Sequence, residues 1–137
     1  MVDELRIYTD GASRGNPGPA SAAYVITKKD GSVLKEGSEF LGNTTNNRAE
    51  YKAVIKALEM AENYTDGKVR VFSDSNLLVR QLQGEWKVKS ENIRPLFKKV
   101  KELTKNFDSV SFFHRNREHE MISRADYLCN KKLDNRS

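Results

Sequence analysis

Hydrophobic and polar positions alternate with a period of two at the start of the chain, where Leu5, Ile7 and Thr9 interleave with polar or amphipathic neighbours. This period predicts a strand over residues 4–10. Four further strands are predicted over residues 20–28, 33–41, 68–74 and 108–114. The Asp-Gly pair within residues 29–32 favours a hairpin turn. The first three strands are therefore expected to form an antiparallel meander.

Apolar residues at helical spacing predict four helices. The first is capped by Thr44 or Thr45 and runs to about Asn63. The others are predicted over residues 75–83, over residues 92–105 and from near Ser123, with residues 134–137 frayed. A strand, a long helix and another strand resemble a βαβ crossover, so the strand at 68–74 should run parallel to the first. The pattern indicates an α/β fold with a five-stranded mixed sheet.

Four carboxylates occupy matching positions in these elements. Asp10 and Asp74 each end a predicted strand, Glu50 lies on the buried stripe of the first long helix, and Asp126 lies on the inward stripe of the last. Because neighbouring parallel strands end at the same edge of a sheet, Asp10 and Asp74 should lie close together. The alternatives are local: an Asp that starts a turn, and a Glu that favours a helix dipole.

Composition restricts the classes of protein and partner. Of the 137 residues, 37% are hydrophobic and 31% are charged, which suits one domain over 1–137 with its own core. We expect no membrane contact, since no apolar run approaches the ~18 residues of a membrane span. We also expect a monomer in the cytoplasm, and a lone cysteine fits a reducing cytosol. The single cysteine, Cys129, excludes an internal disulfide and is expected in the core.

The net charge of +5, despite the four clustered acids, suggests a basic surface around an acidic pocket. Such a surface suits a polyanionic substrate, although a basic surface that serves only solubility would look the same. Carboxylate oxygens select Mg²⁺ or Mn²⁺ rather than Zn²⁺. Two such ions, about 3.5–4 Å apart, are the usual arrangement for in-line phosphodiester cleavage.

Five motifs, in order over residues 4 to 133, resemble ribonuclease H type 1. They are Tyr8-Thr9-Asp10-Gly11-Ala12, Gly15-Asn16-Pro17-Gly18, Thr45-Asn46-Asn47-Arg48-Ala49-Glu50, Ser73-Asp74-Ser75 and Ala125-Asp126. The resemblance implies a ribonuclease H-like fold with strand order 3-2-1-4-5, flanked by helices. It implies an endonuclease that hydrolyses the RNA strand of RNA–DNA hybrids by a two-metal-ion mechanism, leaving 5′-phosphate and 3′-hydroxyl ends.

The resemblance also implies roles for individual residues. The four carboxylates would bind two Mg²⁺ or Mn²⁺ ions, and Thr45 would help to hold a phosphate of the DNA strand. The implied substrate contacts are Gly11, Ser13, Asn16, Thr45, Asn46, Asn47, Asn76, Trp86 and Lys87. Amide and hydroxyl groups suit sugars and base edges, and reading the 2′-hydroxyl distinguishes RNA from DNA. The alternative for these residues is loop and capping chemistry.

Two departures from the family pattern stand out. A His expected in the loop before the last Asp matches His119 only loosely, and Asn116 lies nearer the expected spacing. His119 is predicted either to assist proton transfer or product release, or to be an exposed loop residue. Residues 84–91 are too short for the family's basic handle, so Trp86, Lys87 and Lys89 would form a reduced version. No separate hybrid-binding domain is expected before Met1.

Three questions of function stay open at this point. The basic residues between Lys87 and Lys105 suit either a solvated helix face or contacts with phosphate. The same carboxylate set would serve a DNA junction resolvase or an exonuclease. A binding module that kept the fold without catalysis is the remaining alternative, although such a module gains nothing from negative charge near phosphate.

Overall fold

The computed structural model describes residues 2–135. In chain order its elements are β1 (Glu4–Ser13), β2 (Gly18–Lys28), β3 (Val33–Thr44), α1 (Asn46–Ala61), β4 (Lys68–Ser73), α2 (Asn76–Leu82), α3 (Arg94–Thr104), β5 (Ser109–His114) and α4 (Glu120–Asp134). The strands form one sheet in the order β3-β2-β1-β4-β5. β1, β2 and β3 are antiparallel, whereas β4 and β5 run parallel to β1. The predicted fold class, strand order and strand directions are therefore confirmed.

The sheet is covered on both faces, so both sets of alternating side chains are buried. On one face, Leu5 and Ile7 pack with α1, α2 and α3 in the main core cluster. On the other face, Tyr8 and Phe72 pack against Ile122 of α4. Because side chains alternate along a strand, Asp10 lies on the same face of β1 as Tyr8. Helix α4 therefore covers the face from which Asp10 projects.

Strand β1 is longer than predicted and does not end at Asp10. Its ladder with β2 continues to the pair Ser13 and Ala20, whereas its ladder with β4 stops at Thr9 and Ser73. After Asp10, β1 loses its pairing with β4 but keeps its pairing with β2, because β2 still supplies hydrogen-bond partners to the backbone of the turn-forming residues. Asp10 thus lies one residue beyond the end of the parallel ladder, with its backbone still held in the sheet.

Two helix starts test the capping arguments. Thr45, rather than Thr44, caps α1, because its Oγ1 accepts a hydrogen bond of 3.3 Å from the Arg48 N–H. Helix α4 begins at Glu120, three residues before the predicted Ser123. The prediction was wrong because the N-cap is His119, which is not among the residues that usually cap helices. The other boundaries differ from their predictions by a few residues.

Helix α4 continues to Asp134, although its end was predicted to be frayed, and residues 136 and 137 of that predicted segment lie outside the described residues. Within residues 2–135, every helix is too short or too polar to cross a membrane. The single domain, the monomeric state and the cytoplasmic location stay predictions.

Candidate active site

The four predicted carboxylates come together at one edge of the sheet. Asp10 of β1 interacts electrostatically with the other three, and the charges of Asp74 and of Asp126 on α4 both raise its pKa. Asp74 directly follows β4, and Glu50 lies in the early turns of α1. Asp10 within β1, Asp74 just after β4 and one residue from each of two helices thus form the cluster. This explains how residues far apart in the sequence form one cluster.

A glycine makes the approach of β1 to α1 possible. A Cβ atom added to Gly11 would lie 2.3 Å from the carbonyl carbon of Ala49 and 2.3 Å from the amide nitrogen of Glu50. Real Cβ atoms do not approach backbone atoms this closely, so a larger residue would separate the two elements. Gly11 therefore fixes the distance between Asp10 and Glu50. Its predicted role as a substrate contact stays a prediction, and its side-chain position is filled by the α1 backbone.

Burial and mutual repulsion favour the neutral forms of two carboxyl groups. Asp10 is 5% exposed, and its burial, followed by the charges of Asp74 and Asp126, raises its pKa to about 8. Glu50 is 8% exposed, and its burial, followed by the charge of Asp74, raises its pKa to about 7. Hydrogen bonds to Glu50, including one of 3.0 Å from Asn46 Nδ2, act in the opposite direction. The negative charges of the four carboxylates are therefore not fully compensated by positive charge nearby.

One oxygen of this cluster is without a hydrogen-bond partner in the described part of the protein. The Oδ2 atom of Asp10 is buried and unsatisfied, which is costly for a carboxylate. Among residues 2–135, no three His, Cys, Asp or Glu side chains are arranged to hold an ion as they stand. Like charges separate when no cation lies between them. An orphaned oxygen within a set of carboxylates nevertheless fits a hard divalent cation such as Mg²⁺ or Mn²⁺.

Arg117 supplies positive charge at the edge of the cluster. Its Nε donates a hydrogen bond of 3.1 Å to Oδ2 of Asp74, and this contact raises the pKa of the Arg117 guanidinium. The Arg117 side chain is 72% exposed and that of Asp74 is 12% exposed. No local pattern distinguishes Arg117 from the other basic residues of its charged loop. Its position is set by tertiary structure.

The predicted substrate residues of the first two loops meet beside the carboxylates. Asn16 follows β1, and its Oδ1 accepts a hydrogen bond of 3.1 Å from the backbone N–H of Asn46. Asn46 in turn donates to Glu50, so these amides connect the loop after β1 with the cluster. Asn47 is exposed, and Ser13 is half-buried at the end of β1. Thr45 caps α1, which is the alternative role considered for it above. Its predicted contact with a phosphate of the DNA strand stays a prediction.

The remaining predicted substrate residues lie on and after α2. Asn76 Oδ1 accepts a hydrogen bond of 3.4 Å from Arg80 Nε. The Arg80 guanidinium lies 5.9 Å from the centre of the Trp86 ring, which is 47% exposed. Lys87 is exposed, and its carbonyl accepts a hydrogen bond from Gln81 Nε2 at 3.5 Å. Contacts to α2 thus hold the short connector and leave an aromatic and a basic side chain in solvent.

His119 and Asn116 make local contacts around the start of α4. The Nδ1 atom of His119 accepts a hydrogen bond of 3.2 Å from the Met121 N–H, and the ring stacks on Tyr8 with centroids 5.3 Å apart. Asn116 Oδ1 accepts a hydrogen bond of 2.8 Å from the Glu118 N–H, which forms a tight turn. The catalytic role given to His119 by resemblance stays a prediction. Its observed contacts are with an aromatic ring and with the helix backbone.

Two residues that the sequence did not connect with the site touch the backbone of its carboxylates. His114 Nε2 lies 3.2 Å from the carbonyl oxygen of Asp74. Cys129 is buried, as predicted, and its Sγ donates to the carbonyl oxygen of Asp10 at 3.2 Å. Both contacts restrain the strands from which the carboxylates project. Neither has a local sequence signal, because both join residues far apart in the chain.

Comparison with known proteins gives consistent matches. A family model described as "Reverse transcriptase-like" matches residues 8–132. The chain is 41% identical over 130 residues to a ribonuclease HI of Halobacterium salinarum, covering 95% of this chain and 64% of that protein. It covers 35% of a bifunctional protein of Mycobacterium tuberculosis, at 36% identity. The chain thus spans less than two thirds of these curated relatives.

Solved structures agree with the sequence matches. The crystal structure of RNase H1 from Halobacterium salinarum superposes with a TM-score of 0.91 at 39% identity, covering 97% of this chain and 99% of that one. LC11-RNase H1 in complex with an RNA/DNA hybrid superposes with a TM-score of 0.88 at 42% identity, covering 95% and 96% of the two chains. The similarity extends over the sheet and its helices on both faces.

Proposed function

Because this chain belongs to the ribonuclease H type 1 family, we propose that it is an endonuclease that hydrolyses the RNA strand of RNA–DNA hybrids. The observation that carries this proposal is the convergence of Asp10, Glu50, Asp74 and Asp126, together with the buried and unsatisfied Oδ2 atom of Asp10. The hybrid seen with LC11-RNase H1 supports the substrate class. The chain has the same fold and presents exposed asparagines beside its cluster.

The four carboxylates are proposed to hold two Mg²⁺ or Mn²⁺ ions, with Asp10 Oδ2 as one ligand atom. When bound, such ions activate a water molecule and stabilise the leaving oxygen. Hydrolysis forms a bond from the water oxygen to phosphorus and breaks the bond from phosphorus to the 3′ oxygen. The products are then a 5′-phosphate and a 3′-hydroxyl end. No side chain of the protein has to become covalently attached to the substrate.

The chain's own polar residues are proposed to bind and orient the hybrid. Asn16, Asn46 and Asn47 lie on adjoining loops at the edge of the cluster, where amides can reach sugars and base edges. Asn76 begins α2, and Trp86 and Lys87 lie on the connector that follows this helix. The asparagines would recognise the minor groove, and the connector would add a phosphate contact and an aromatic surface.

The proposal predicts that Asp74→Asn abolishes cleavage and keeps the fold. We would incubate both proteins with end-labelled RNA–DNA hybrid, single-stranded RNA, double-stranded RNA and double-stranded DNA, each with Mg²⁺, Mn²⁺ or EDTA. The expected result is metal-dependent cleavage of the RNA strand of the hybrid by the parent protein, a loss of at least about 10³-fold in the variant, and matching circular dichroism spectra.

Other outcomes of the same panel identify the alternatives. Cleavage of double-stranded DNA places the protein with resolvases or exonucleases. Hybrid binding without cleavage under every metal condition identifies a recognition module. Activity retained by Asp74→Asn in a clean preparation contradicts the assignment of the carboxylates.

A further inference from the structure

Three aromatic side chains form a stacked row across neighbouring strands of the sheet, from β1 to the edge strand β5. We call this row the aromatic ladder (Tyr8, Phe72 and Phe113). The rings of Tyr8 and Phe72 stack with centroids 5.0 Å apart, and those of Phe72 and Phe113 with centroids 5.4 Å apart. The strand register explains the row, because Phe72 pairs with Tyr8 on one side and with Phe113 on the other. The aromatic ladder thus joins β1, β4 and β5 on the face covered by α4.

Both ends of the loop between β5 and α4 rest on this ladder. At its first residue, the Arg115 guanidinium lies 4.8 Å from the centre of the Phe72 ring and 5.8 Å from that of Phe113. At its last residue, the His119 ring stacks on Tyr8 with an interplanar angle of 17°. Residues 115–119 are therefore held at two points, and Arg117 lies midway between them.

Backbone hydrogen bonds close the loop between its two anchors. The Arg115 N–H donates a hydrogen bond of 2.9 Å to the carbonyl oxygen of Ser73, the residue that precedes Asp74. The His119 N–H donates to the Asn116 carbonyl at 3.0 Å, and Asn116 Oδ1 receives the Glu118 N–H. These bonds fix the curvature of the loop. As a result, the backbone of Arg117 is presented to the carboxylate edge.

The aromatic ladder lies one row away from the carboxylates on the same face of the sheet. Tyr8 and Phe72 each stand two residues before Asp10 and Asp74, and side chains two apart in a strand share a face. A loop seated on the ladder is therefore adjacent to the cluster. This is the placement that lets Arg117 Nε reach Asp74 Oδ2 at 3.1 Å.

The position of Arg117 depends on its backbone because its own contact is weak. An ion pair whose arginine is 72% exposed contributes little by itself, since ordering a long side chain offsets most of the attraction. Holding the backbone in place removes part of that cost before the pair forms. The loop anchors can therefore decide how often the guanidinium is found at Asp74.

We propose that His119 and Arg115 are positioning residues that clamp the loop of residues 115–119 to the aromatic ladder and so keep Arg117 at the carboxylate cluster. In this role the His119 imidazole serves as a stacking ring and a helix cap, rather than as a proton carrier. The consequence for cleavage rests on the proposed function. The clamp itself does not, because it is a property of the folded chain without substrate.

Three substitutions of His119 separate stacking, capping and proton transfer. His119→Phe keeps an aromatic ring over Tyr8 and loses the cap and the titratable group. His119→Asn keeps a side chain that caps helices well and loses the ring. His119→Ala loses both. Arg124→Met is the matched control, because the Arg124 guanidinium also lies over an aromatic ring, that of Tyr127 at 5.2 Å, outside the loop.

The first measurement is amide hydrogen exchange of the metal-free proteins, followed by mass spectrometry. In His119→Ala and His119→Asn, exchange at residues 115–119 should accelerate about three- to tenfold, the range expected for loss of one stacked pair. In His119→Phe the loop should exchange within about twofold of the parent, while the first turn of α4 exchanges faster. Arg124→Met should leave the loop unaffected. Unchanged loop exchange in His119→Ala overturns the proposal.

The second measurement is steady-state cleavage of the hybrid over a range of pH. The proposal expects kcat to fall in parallel with loop exchange, so that His119→Asn loses more than His119→Phe, and the pH profile of His119→Phe keeps the shape of the parent profile. If His119→Phe instead loses as much kcat as His119→Ala while its loop stays protected, His119 acts chemically and the proposal is overturned.

The two measurements fail in distinguishable ways. A parent protein that cleaves none of the nucleic acids contradicts the proposed function and leaves the exchange experiment intact. An active parent protein whose loop exchange does not respond to His119→Ala contradicts the clamp and leaves the function intact. A third variant, Arg115→Lys, keeps the charge but loses the planar guanidinium, and faster loop exchange is expected in it as well.

Discussion

At the scale of single residues, the site is defined by negative charge without enough compensation. Asp10 and Glu50 are almost fully buried, both have raised pKa values, and Asp10 Oδ2 has no hydrogen-bond partner among residues 2–135. Arg117 pairs with Asp74 at the exposed side of the cluster. Such an arrangement lowers stability in the absence of cations and prepares the site to bind them. Both the stability and the metal affinity of the protein should therefore respond to these charges.

The metal-free protein should lose stability as the pH rises. Because the pKa values of Asp10 and Glu50, about 8 and about 7, lie above their ordinary values, the folded state retains protons that the unfolded state has released. The unfolding free energy in EDTA should therefore be highest below about pH 4, where both groups are protonated in the folded and in the unfolded state. It should fall steadily as the pH rises to about 8.

Urea unfolding at pH 5 and pH 8 measures this difference. Asp10→Asn should remove most of the difference in unfolding free energy between the two pH values, because an amide does not titrate. At pH 8 this variant should be more stable than the parent protein. Millimolar Mg²⁺ should also reduce the difference in the parent protein. A parent stability that increases between pH 5 and pH 8 in EDTA would contradict the charge argument.

Arg117→Met should strengthen metal binding. The guanidinium competes for Asp74, so its removal should increase the affinity for Mn²⁺, by no more than about fivefold because exposed ion pairs contribute up to about 1 kcal/mol. Isothermal titration with Mn²⁺ measures the affinity. Arg124→Met is the control, since Arg124 pairs with Glu36 and lies outside the cluster. Weaker Mn²⁺ binding in Arg117→Met would show that the guanidinium supports the site instead of competing for it.

At the scale of elements, the site depends on how closely β1, β4, α1 and α4 approach one another. Gly11 lets the α1 backbone touch β1, and the Cys129 thiol ties α4 to the Asp10 carbonyl. His114 restrains the end of β4 through the Asp74 carbonyl. Each contact lies beside a carboxylate. Small changes of spacing between elements should therefore affect activity more than changes elsewhere in the core.

Gly11→Ala should reduce both stability and cleavage. The added Cβ would lie 2.3 Å from α1 backbone atoms, and overpacking of this kind costs about 1–3 kcal/mol. Because Asp10 and Glu50 are proposed metal ligands, their separation should reduce kcat at least about tenfold. Thermal unfolding and steady-state kinetics measure the two effects.

Gly31→Ala is the control for this experiment. Gly31 has a φ of 93° in the hairpin between β2 and β3, and a Cβ atom added to it would have no neighbouring atom within 4 Å. The variant should lose stability through backbone strain and keep its kcat. Equal losses of kcat in the two variants would mean that the spacing of β1 and α1 is not specific to the site.

At the scale of the whole molecule, charge is divided between an acidic edge and a basic surface. The chain has a net charge of +5 although four carboxylates are gathered at one place. Trp86 and Lys87 stand exposed on the connector after α2, which is tied to α2 by backbone hydrogen bonds to Arg80. A polyanion should therefore be attracted to the surface around the cluster, while cations offset repulsion within it.

Hybrid binding should weaken steeply with salt. At fixed Mg²⁺, log Kd should rise linearly with log[KCl]. Lys87→Met should reduce the slope by about one, because it would remove the proposed contact between Lys87 and a phosphate. Lys29→Met is the control, because Lys29 lies in the hairpin after β2 at the opposite edge of the sheet. Fluorescence anisotropy with labelled hybrid measures the slopes, in an Asp74→Asn background, which is expected to prevent cleavage. Equal slopes for Lys87→Met and the parent would exclude a phosphate contact at Lys87.

Local sequence patterns were sufficient to predict the elements, their order and the residue types of the site. Period-two and helical patterns located each strand and helix, and the crossover rule predicted that β4 is parallel to β1. The positions of Asp10 and Asp74 after paired strand segments then followed from topology. These features depend on local propensity and on burial patterns, which are encoded in neighbouring residues.

The tertiary structure alone decided which side chains touch across distant segments. The length of β1 depended on pairing with β2, and the start of α4 depended on a His119 cap that propensity does not favour. Arg117, and not another of the many basic residues, pairs with Asp74 because its loop lies beside that carboxylate. Residues that look alike in the sequence differ in such contacts, because the energy of a contact depends on geometry and burial rather than on neighbours in the chain.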